Sequence, residues 1–308
     1  MPENKYSHEY NLEFRKRPDD SQVGKILRGS IDMHVHCFPD LPPMRHNAFE
    51  IALDAREAGL RGIVFKTPFY SSVALASLVS ELVPDISVFS GICLEYECGG
   101  LNPNAVESSA KMGAKVVWMP TYSSANSINL TNRLLKLGIK GEGLSILGRD
   151  GKLVPEVVEI LQIIKDYDLV LATGHISSRE ILALVEKAKQ LGVTKIVVTH
   201  ASWDLLSESI LTSEERQTLA KEGVLIEYVA PQVLPVGQRC PLEKVVDDIR
   251  NDGPSNCIIG SDSGFILLPT EAECMRLFIS TMLWCGFSEE EITYMVKTNP
   301  ARLLGLAG

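Results

Sequence analysis

Short apolar runs alternate along the chain with longer stretches in which apolar residues recur at helical spacing. Eight of these runs predict β-strands, at residues 30–36, 61–67, 86–95, 114–121, 169–175, 195–202, 224–230 and 257–264. Their apolar character is nearly continuous, which is typical of strands buried on both faces. Between them, amphipathic patterns such as those of residues 48–59, 155–168 and 178–192 predict helices. This alternation predicts a parallel sheet.

The number of strands favours a closed barrel over an open sheet, because eight strands each followed by a helix close readily on themselves. The competing architecture, a doubly wound sheet, usually carries a glycine-rich phosphate-binding turn after its first strand. Here that position has the sequence HVHCFPD (residues 34–40), which contains no glycine. We therefore predict an α/β fold, a (β/α)8 TIM barrel, as one domain over residues 29–308. Residues 1–28 are expected to form an N-terminal arm.

The longest connection lies between the fourth and fifth predicted strands, and residues 122–154 form an insertion within it. Two interpretations stay open for this insertion. It is either an excursion over the surface or a lid on the active site, because the loops that follow the strands of a barrel face the active site.

Composition and charge narrow the classes of function. The 308 residues are 45% hydrophobic and 22% charged, which is ordinary for a globular protein. The formal charge of -9 argues against a nucleic-acid partner, because it would repel phosphate. No run approaches the roughly 20 apolar residues of a membrane span, and the seven cysteines include no CxxC pair. We expect a reduced, cytoplasmic protein with no membrane partner, and self-association is compatible with the sequence.

Ionisable side chains gather at the predicted carboxyl ends of the strands. His34 and His36 form an HxH pair on the first strand, where alternation points both to the same face. His175 and His200 end the fifth and sixth strands, and Asp262 ends the eighth. A single histidine at such a position is more often a hydrogen-bonded core residue. Five such groups at one rim of a barrel, however, indicate a metal site.

The segments DMHVH (32–36), ATGH (172–175), VVTH (197–200) and GSDSG (260–264) together resemble the pattern of the amidohydrolase superfamily. That pattern has HxH on strand 1, histidines on strands 5 and 6, and aspartate on strand 8. The ending TNPARLLGL (298–306) is similar to that of the lactonase and decarboxylase branch of the superfamily. The resemblance extends from residue 30 to the end of the sequence.

The resemblance implies a ligand set and a mechanism. His34, His36 and His175 would supply nitrogen ligands, and Asp262 an oxygen ligand, to one divalent transition metal. Zn²⁺ suits these donors best, and Mn²⁺ or Fe²⁺ is also compatible. Asp262 would in addition accept a proton from the activated water and pass it to the leaving group. His200, the second expected catalytic residue, would hydrogen-bond the water or the developing oxyanion.

One departure from the superfamily pattern bears on the number of metals. Binuclear members carry a bridging lysine or glutamate at the end of strand 4, whereas residues 118–121 here (WMPT) offer neither. We therefore expect one metal. Lys66 and Glu95, at the ends of the second and third strands, are the residues that would restore a second one. For Lys66 the alternatives are a solvated lysine or a group that binds a substrate anion; for Glu95 we favour a structural hydrogen bond. Arg179 is a further candidate for binding a substrate carboxylate, although an arginine in a first helical turn is more often solvated.

These features predict a metal-dependent hydrolase acting on an amide, lactone or related C–N or C–O bond of a small molecule. A decarboxylase of the aminocarboxymuconate-semialdehyde type would use the same ligands and is the main alternative. A histidinol-phosphatase-like phosphoesterase also begins DxHxH, but it uses more ligands than the six histidines here readily provide. A non-catalytic metal-binding barrel would have no need of Asp262 as a base.

Overall fold

The computed structural model describes residues 20–203, 209–234 and 240–306. The strands are β1 (Ile31–Val35), β2 (Gly62–Phe65), β3 (Ser87–Phe89), β4 (Gly91–Cys93), β5 (Val116–Trp118), β6 (Val170–Ala172), β7 (Ile196–Val198), β8 (Leu225–Val229) and β9 (Cys257–Gly260). The helices are α1 (Asp20–Leu27), α2 (Ala48–Glu57), α3 (Val73–Leu82), α4 (Pro103–Lys111), α5 (Ile128–Leu135), α6 (Pro155–Asp166), α7 (Ser178–Leu191), α8 (Ser213–Lys221), α9 (Leu242–Asp252), α10 (Glu271–Trp284), α11 (Glu289–Thr293) and α12 (Asn299–Leu304). All eight predicted strands are present.

The third predicted strand is divided into β3 and β4, and the side chain of Ser72 explains the break. β3 pairs with β2, whereas β4 pairs with β5. At Gly91 the Ser72 hydroxyl both accepts from the Gly91 N–H (3.0 Å) and lies 3.1 Å from its carbonyl oxygen. A serine side chain thus takes the place of the neighbouring strand, so the backbone groups of Gly91 remain satisfied.

The strands form a ring of parallel neighbours. β1, β2 and β3 pair in that order, and β4 to β9 pair in theirs. The two ends of the ring meet where Val35 forms a parallel bridge with Ser263. There the His36 N–H donates to the Ser263 carbonyl (2.8 Å) and the Asp262 N–H to the His34 carbonyl (2.9 Å). The predicted α/β fold, a TIM barrel, is confirmed.

Apolar side chains pack on both sides of this ring. Alternate strand residues such as Ile63, Val117 and Ile259 belong to the large core between strands and helices. The others, such as Met33, Val116 and Ile258, meet inside the barrel. α12 adds Ala301, Leu303 and Leu304 to this inner cluster, and therefore closes the amino-terminal end of the barrel. One end of the interior is filled, and any opening must lie at the other.

The segment before β1 and the insertion at 122–154 both take defined positions. Residues 1–19 of the predicted arm lie outside the described residues, but α1 packs against α10 with Val23, Ile26 and Leu27 buried. The insertion at 122–154 contains α5 and two isolated bridges, Ser124 with Leu144 and Leu147 with Leu153. In the described part of the chain, no helix is both long and apolar enough to cross a membrane.

Candidate metal centre

A bulge in β1 helps to aim the HxH pair. The register between β1 and β2 shifts between Asp32 and Val35, and such irregularities redirect the side chains that follow. Val35 packs into the core that faces the helices. His34 and His36, on either side of it, are buried with their rings 5.3 Å apart. The two imidazoles therefore share one site.

Three ligand atoms converge there. Nε2 of His34 lies 3.2 Å from Oδ1 of Asp262, and Nε2 of His36 lies 3.1 Å from the same oxygen. Tetrahedral Zn²⁺, with bonds of about 2.0–2.1 Å, places neighbouring ligand atoms about 3.3 Å apart. Among the described residues, His34, His36 and Asp262 are the group whose ligand atoms all lie within 4.8 Å of one another. The spacing fits a divalent cation bound by this trio.

Asp262 is held in its ionised form. Burial alone would raise the pKa of its carboxyl, but the imidazoles of His34, His36 and His200 lower that pKa below its ordinary value. Burial lowers the pKa of His34 well below its ordinary value, and the nearby Lys66 ammonium lowers it further. An ionised carboxylate and a neutral imidazole are the protonation states that bind a metal.

Glu227, which the sequence analysis overlooked, orients His34. This residue lies in β8, and its Oε1 is 3.2 Å from Nδ1 of His34. A metal-binding histidine commonly donates its other ring N–H to a carboxylate, which fixes the ring and its tautomer. Burial raises the pKa of Glu227 to about 7. An acidic residue in the buried strand LIEYV was the available signal for this position.

Asp32 is a second overlooked carboxylate, and it fastens β1 to the segment after β9. Its Oδ1 accepts hydrogen bonds from the backbone N–H groups of His34 (3.1 Å) and Ser261 (2.9 Å). Burial raises the pKa of Asp32 to about 7. The first residue of the DxHxH pattern therefore positions the backbone that carries His34 and Asp262.

His175 and His200 stand beside the trio. The His200 ring lies 6.0 Å from that of His34 and 4.9 Å from that of His175. His175 is not part of the group that lies within 4.8 Å, so its assignment as a ligand stays a prediction. Burial lowers the pKa of His200 to about 4 and that of His175 well below its ordinary value. In both rings Nδ1 is buried and has no hydrogen-bond partner among the described residues.

The backbone is strained where two of these side chains originate. His200 has φ of 29° and Asp262 has φ of 45°, in a region that residues with side chains rarely adopt. Gly174, directly before His175, has φ of 60°, and a Cβ there would overlap the Met119 carbonyl. Strained backbone of this kind clusters at functional sites, where the surrounding structure enforces it.

Glu95 has a structural role, as the sequence analysis favoured. Its Oε1 accepts from the backbone N–H of Thr121 (2.7 Å) and of Tyr122 (3.1 Å), and its Oε2 from that of Ser123 (2.7 Å). The hydroxyls of Thr121 and Ser123 also donate to it. Both oxygens are therefore occupied in holding the segment after β5, and neither is free to bridge two metals.

Lys66 lies beside the trio. It is buried, and its Nζ lies 3.1 Å from Nε2 of His34. It lines a cavity of about 530 Å³ together with His36, His175, His200 and Asp262. The structure thus shows a buried lysine on the floor of the cavity instead of a solvated one.

The insertion forms part of the cavity wall, since Leu130, Thr131, Leu134 and Leu135 of α5 line it. This placement supports the lid interpretation. Arg179, by contrast, is exposed and lines a separate cavity with Arg149, Ser145 and Ser177. Its side chain does not line the cavity that contains Asp262, His36 and His175. The expectation that it binds a carboxylate at this centre is therefore not supported.

Solved structures with similar folds include hydrolases and a decarboxylase. The probable dipeptidase PvdM from Pseudomonas aeruginosa is 12% identical, with a TM-score of 0.66 over 93% of this chain and 97% of that one. An amidohydrolase from the same organism is 13% identical, with a TM-score of 0.63 over 92% and 98%. A 2,6-dihydroxybenzoate decarboxylase is 11% identical, with a TM-score of 0.56 over 91% and 100%. These likenesses confirm the barrel fold that the sequence predicts.

No curated protein matches this chain significantly. A family model does match, over residues 29–227, which is more than half of the chain. The chain therefore belongs to DUF6282, a family of unknown function.

Proposed function

We propose that this chain is a metal-dependent enzyme that hydrolyses an amide, lactone or related bond of a small molecule. One observation carries the proposal: two imidazole nitrogens and one ionised carboxylate oxygen converge on the floor of an open cavity. His34, His36 and Asp262 would hold one divalent ion, with His175 completing the set. Zn²⁺ is the expected metal, and Mn²⁺ or Fe²⁺ also suits imidazole and carboxylate donors. The ion would supply a Lewis acid that activates water and polarises a carbonyl oxygen.

Asp262 would move the proton. Its carboxylate is ionised and lies at the cavity floor, so it can accept a proton from the attacking water. The same group then delivers that proton to the departing amine or alcohol. Glu227 acts through His34, because its hydrogen bond to Nδ1 keeps Nε2 directed at the site.

His200 would stabilise the negative charge that develops on the substrate oxygen. Because its pKa is lowered to about 4, its ring is neutral near pH 7 and carries one N–H donor. Trp203 packs edge-on against this ring at 5.5 Å, which limits the directions that the ring can adopt. A donor fixed in place before the reaction is the kind that contributes most to rate.

Decarboxylation is the second candidate, and Lys66 is the residue that favours it. Its buried ammonium adjoins the ligand cluster and lines the cavity, where it could hold a substrate carboxylate beside the reacting carbon. As the C–C bond breaks and CO₂ leaves, Asp262 would pass a proton taken from solvent water to the carbon that carried the carboxylate. The fold likeness to a 2,6-dihydroxybenzoate decarboxylase is compatible with this chemistry but does not establish it.

The proposal is tested by assaying the metal-loaded protein against lactones, amides, esters and carboxylated aromatic acids, with release of acid and of CO₂ followed separately. On the substrate so found, His200→Asn should lower kcat by about 10²- to 10³-fold while KM changes less and metal content stays normal. His46→Asn is the matched control, because His46 lies outside the cavity lining.

Three results of this experiment have distinct meanings. Release of CO₂ without hydrolysis selects the decarboxylase. Near-normal turnover by His200→Asn would mean that the residue only packs. Loss of the metal from that variant would make His200 a ligand and contradict the ligand set given above.

A further inference from the structure

The cavity above the metal centre has two chemically different parts. Its ionisable lining residues, Lys66, Asp262, His36, His175 and His200, are buried at the strand ends. The rest of the described lining is almost entirely apolar. α5 contributes leucines to one side, and the segment of residues 265–268 (Phe-Ile-Leu-Leu) forms the other. The charged side chains and the imidazoles are thus confined to the floor.

Hydrogen bonds and packing hold the apolar wall of residues 265–268 in position. Arg45 donates from Nε to the Leu268 carbonyl and from Nη2 to the Ile266 carbonyl, both at 2.8 Å. Met44 and Phe265 form an antiparallel bridge, and the Phe265 ring lies 5.3 Å from that of His36. The wall therefore begins directly beside a metal ligand, and it is held by backbone hydrogen bonds.

The lining is also apolar at the mouth of the cavity, where it opens to solvent. Leu134 is 44% exposed, Ile266 is 56% exposed and Leu267 is 73% exposed, and all three line the cavity. Large apolar side chains that adjoin in this way on a surface mark sites of recognition. An apolar ligand that covered them would remove this area from water, which is favourable by the hydrophobic effect.

From this arrangement we infer the substrate class, and the inference rests on the proposed function. The substrate joins one hydrolysable polar group, which reaches the floor, to an uncharged apolar chain or ring that lies between α5 and residues 265–268. The cavity volume of about 530 Å³ suits a small molecule of this class, since small-molecule sites span roughly 300–1,000 Å³. A free dipeptide fits poorly, because its second charged terminus would lie against leucine and phenylalanine with no charge to pair with it among the described wall residues.

The inference is tested by titration calorimetry of metal-loaded protein with butanoate, hexanoate and octanoate, which are acids of the kind that ester or amide hydrolysis releases. Each added methylene should tighten binding by about twofold to fourfold until the cavity is filled. Binding should also show a negative heat-capacity change that grows with chain length. Equal affinity for the three acids, or tighter binding of glycylglycine than of octanoate, would overturn the inference.

Variants at the mouth of the cavity test whether the apolar chain of the ligand binds against this wall. Leu134→Asp and, separately, Leu267→Asp should each weaken octanoate binding by about tenfold or more and leave butanoate binding nearly unchanged. Leu277→Asp is the matched control, because Leu277 is 42% exposed on α10 and does not line the cavity. Similar losses from all three variants would contradict the assignment of this wall.

The outcome is separable from that of the proposed function. If the chain-length series behaves as expected while no compound is hydrolysed, the proposed reaction fails and the apolar ligand class stands. If short polar esters are hydrolysed without any gain from a longer chain, the reaction stands and the substrate class is wrong.

Discussion

The two ends of the barrel interior are built from the same strands yet have opposite chemistry. At the amino-terminal end, side chains such as Ile31, Val116 and Ile258 meet leucines of α12 in a closed apolar cluster. At the carboxyl-terminal end, the interior holds several carboxylates, a lysine and several imidazoles, all buried. The side chains of the closed cluster are all apolar, whereas the open end has several ring nitrogens without a hydrogen-bond partner among the described residues.

This contrast indicates that the two ends of the strands have different roles: one end stabilises the fold and the other carries the candidate site. The closed end stabilises the ring by removing apolar area from water. The open end carries positive φ at His200 and Asp262, which costs free energy. The strained groups persist because the packed end and the surrounding helices fix the strand ends that carry them. Substitutions at the two ends should therefore have different consequences.

The largest effect is expected at the open end from Asp262→Asn. Asparagine keeps the shape of the side chain but can neither accept nor deliver the proton, so kcat/KM should fall by about 10²- to 10⁴-fold. Part of the metal should remain, because the imidazoles are intact. Asp166→Asn, at an exposed carboxylate on α6, is the control. Full activity of Asp262→Asn on the true substrate would contradict the proposed role of Asp262 in proton transfer.

An intermediate effect is expected from Glu227→Gln, which alters the hydrogen bond to Nδ1 of His34. Loss of such a supporting carboxylate typically weakens metal affinity by about 10- to 100-fold. Competition with a chelator would measure this change. Glu95→Gln offers a contrast at another buried strand-end glutamate, since it should lower thermal stability and leave metal affinity unchanged. If both variants bound metal as the parent does, Glu227 would have no positioning role.

The smallest effect on the site is expected from Leu304→Ala at the closed end. Removing this buried leucine should lower the free energy of unfolding by about 2–5 kcal/mol, as is usual for such a truncation. Metal content and turnover of the folded fraction should be unchanged. Denaturant unfolding measures the first quantity, with Leu82→Ala, at an exposed leucine, as the control. A variant that folded normally but lost its metal would show that the two ends are coupled.

The strand positions were predictable because parallel strands buried on both faces give near-continuous apolar runs. The gathering of His34, His36 and Asp262 followed from that, since the carboxyl ends of parallel strands meet at one rim. The features that the sequence did not predict depend on local geometry. The bulge in β1 and the intrusion of Ser72 beside Gly91 leave no periodic signal, and no pattern reveals the distance of His175 from the trio. Glu227 left a signal, an acidic residue in a buried strand, that was overlooked.

The most direct test of the metal centre is elemental analysis of the protein purified without added metal, beside His34→Ala prepared in the same way. The parent should carry close to one transition-metal ion per chain, because Glu95 is occupied and no residue at the end of β5 can bridge a second ion. His34→Ala should carry almost none, because it loses one of three converging ligand atoms. Two ions per chain in the parent, or a full complement in His34→Ala, would contradict the site described here.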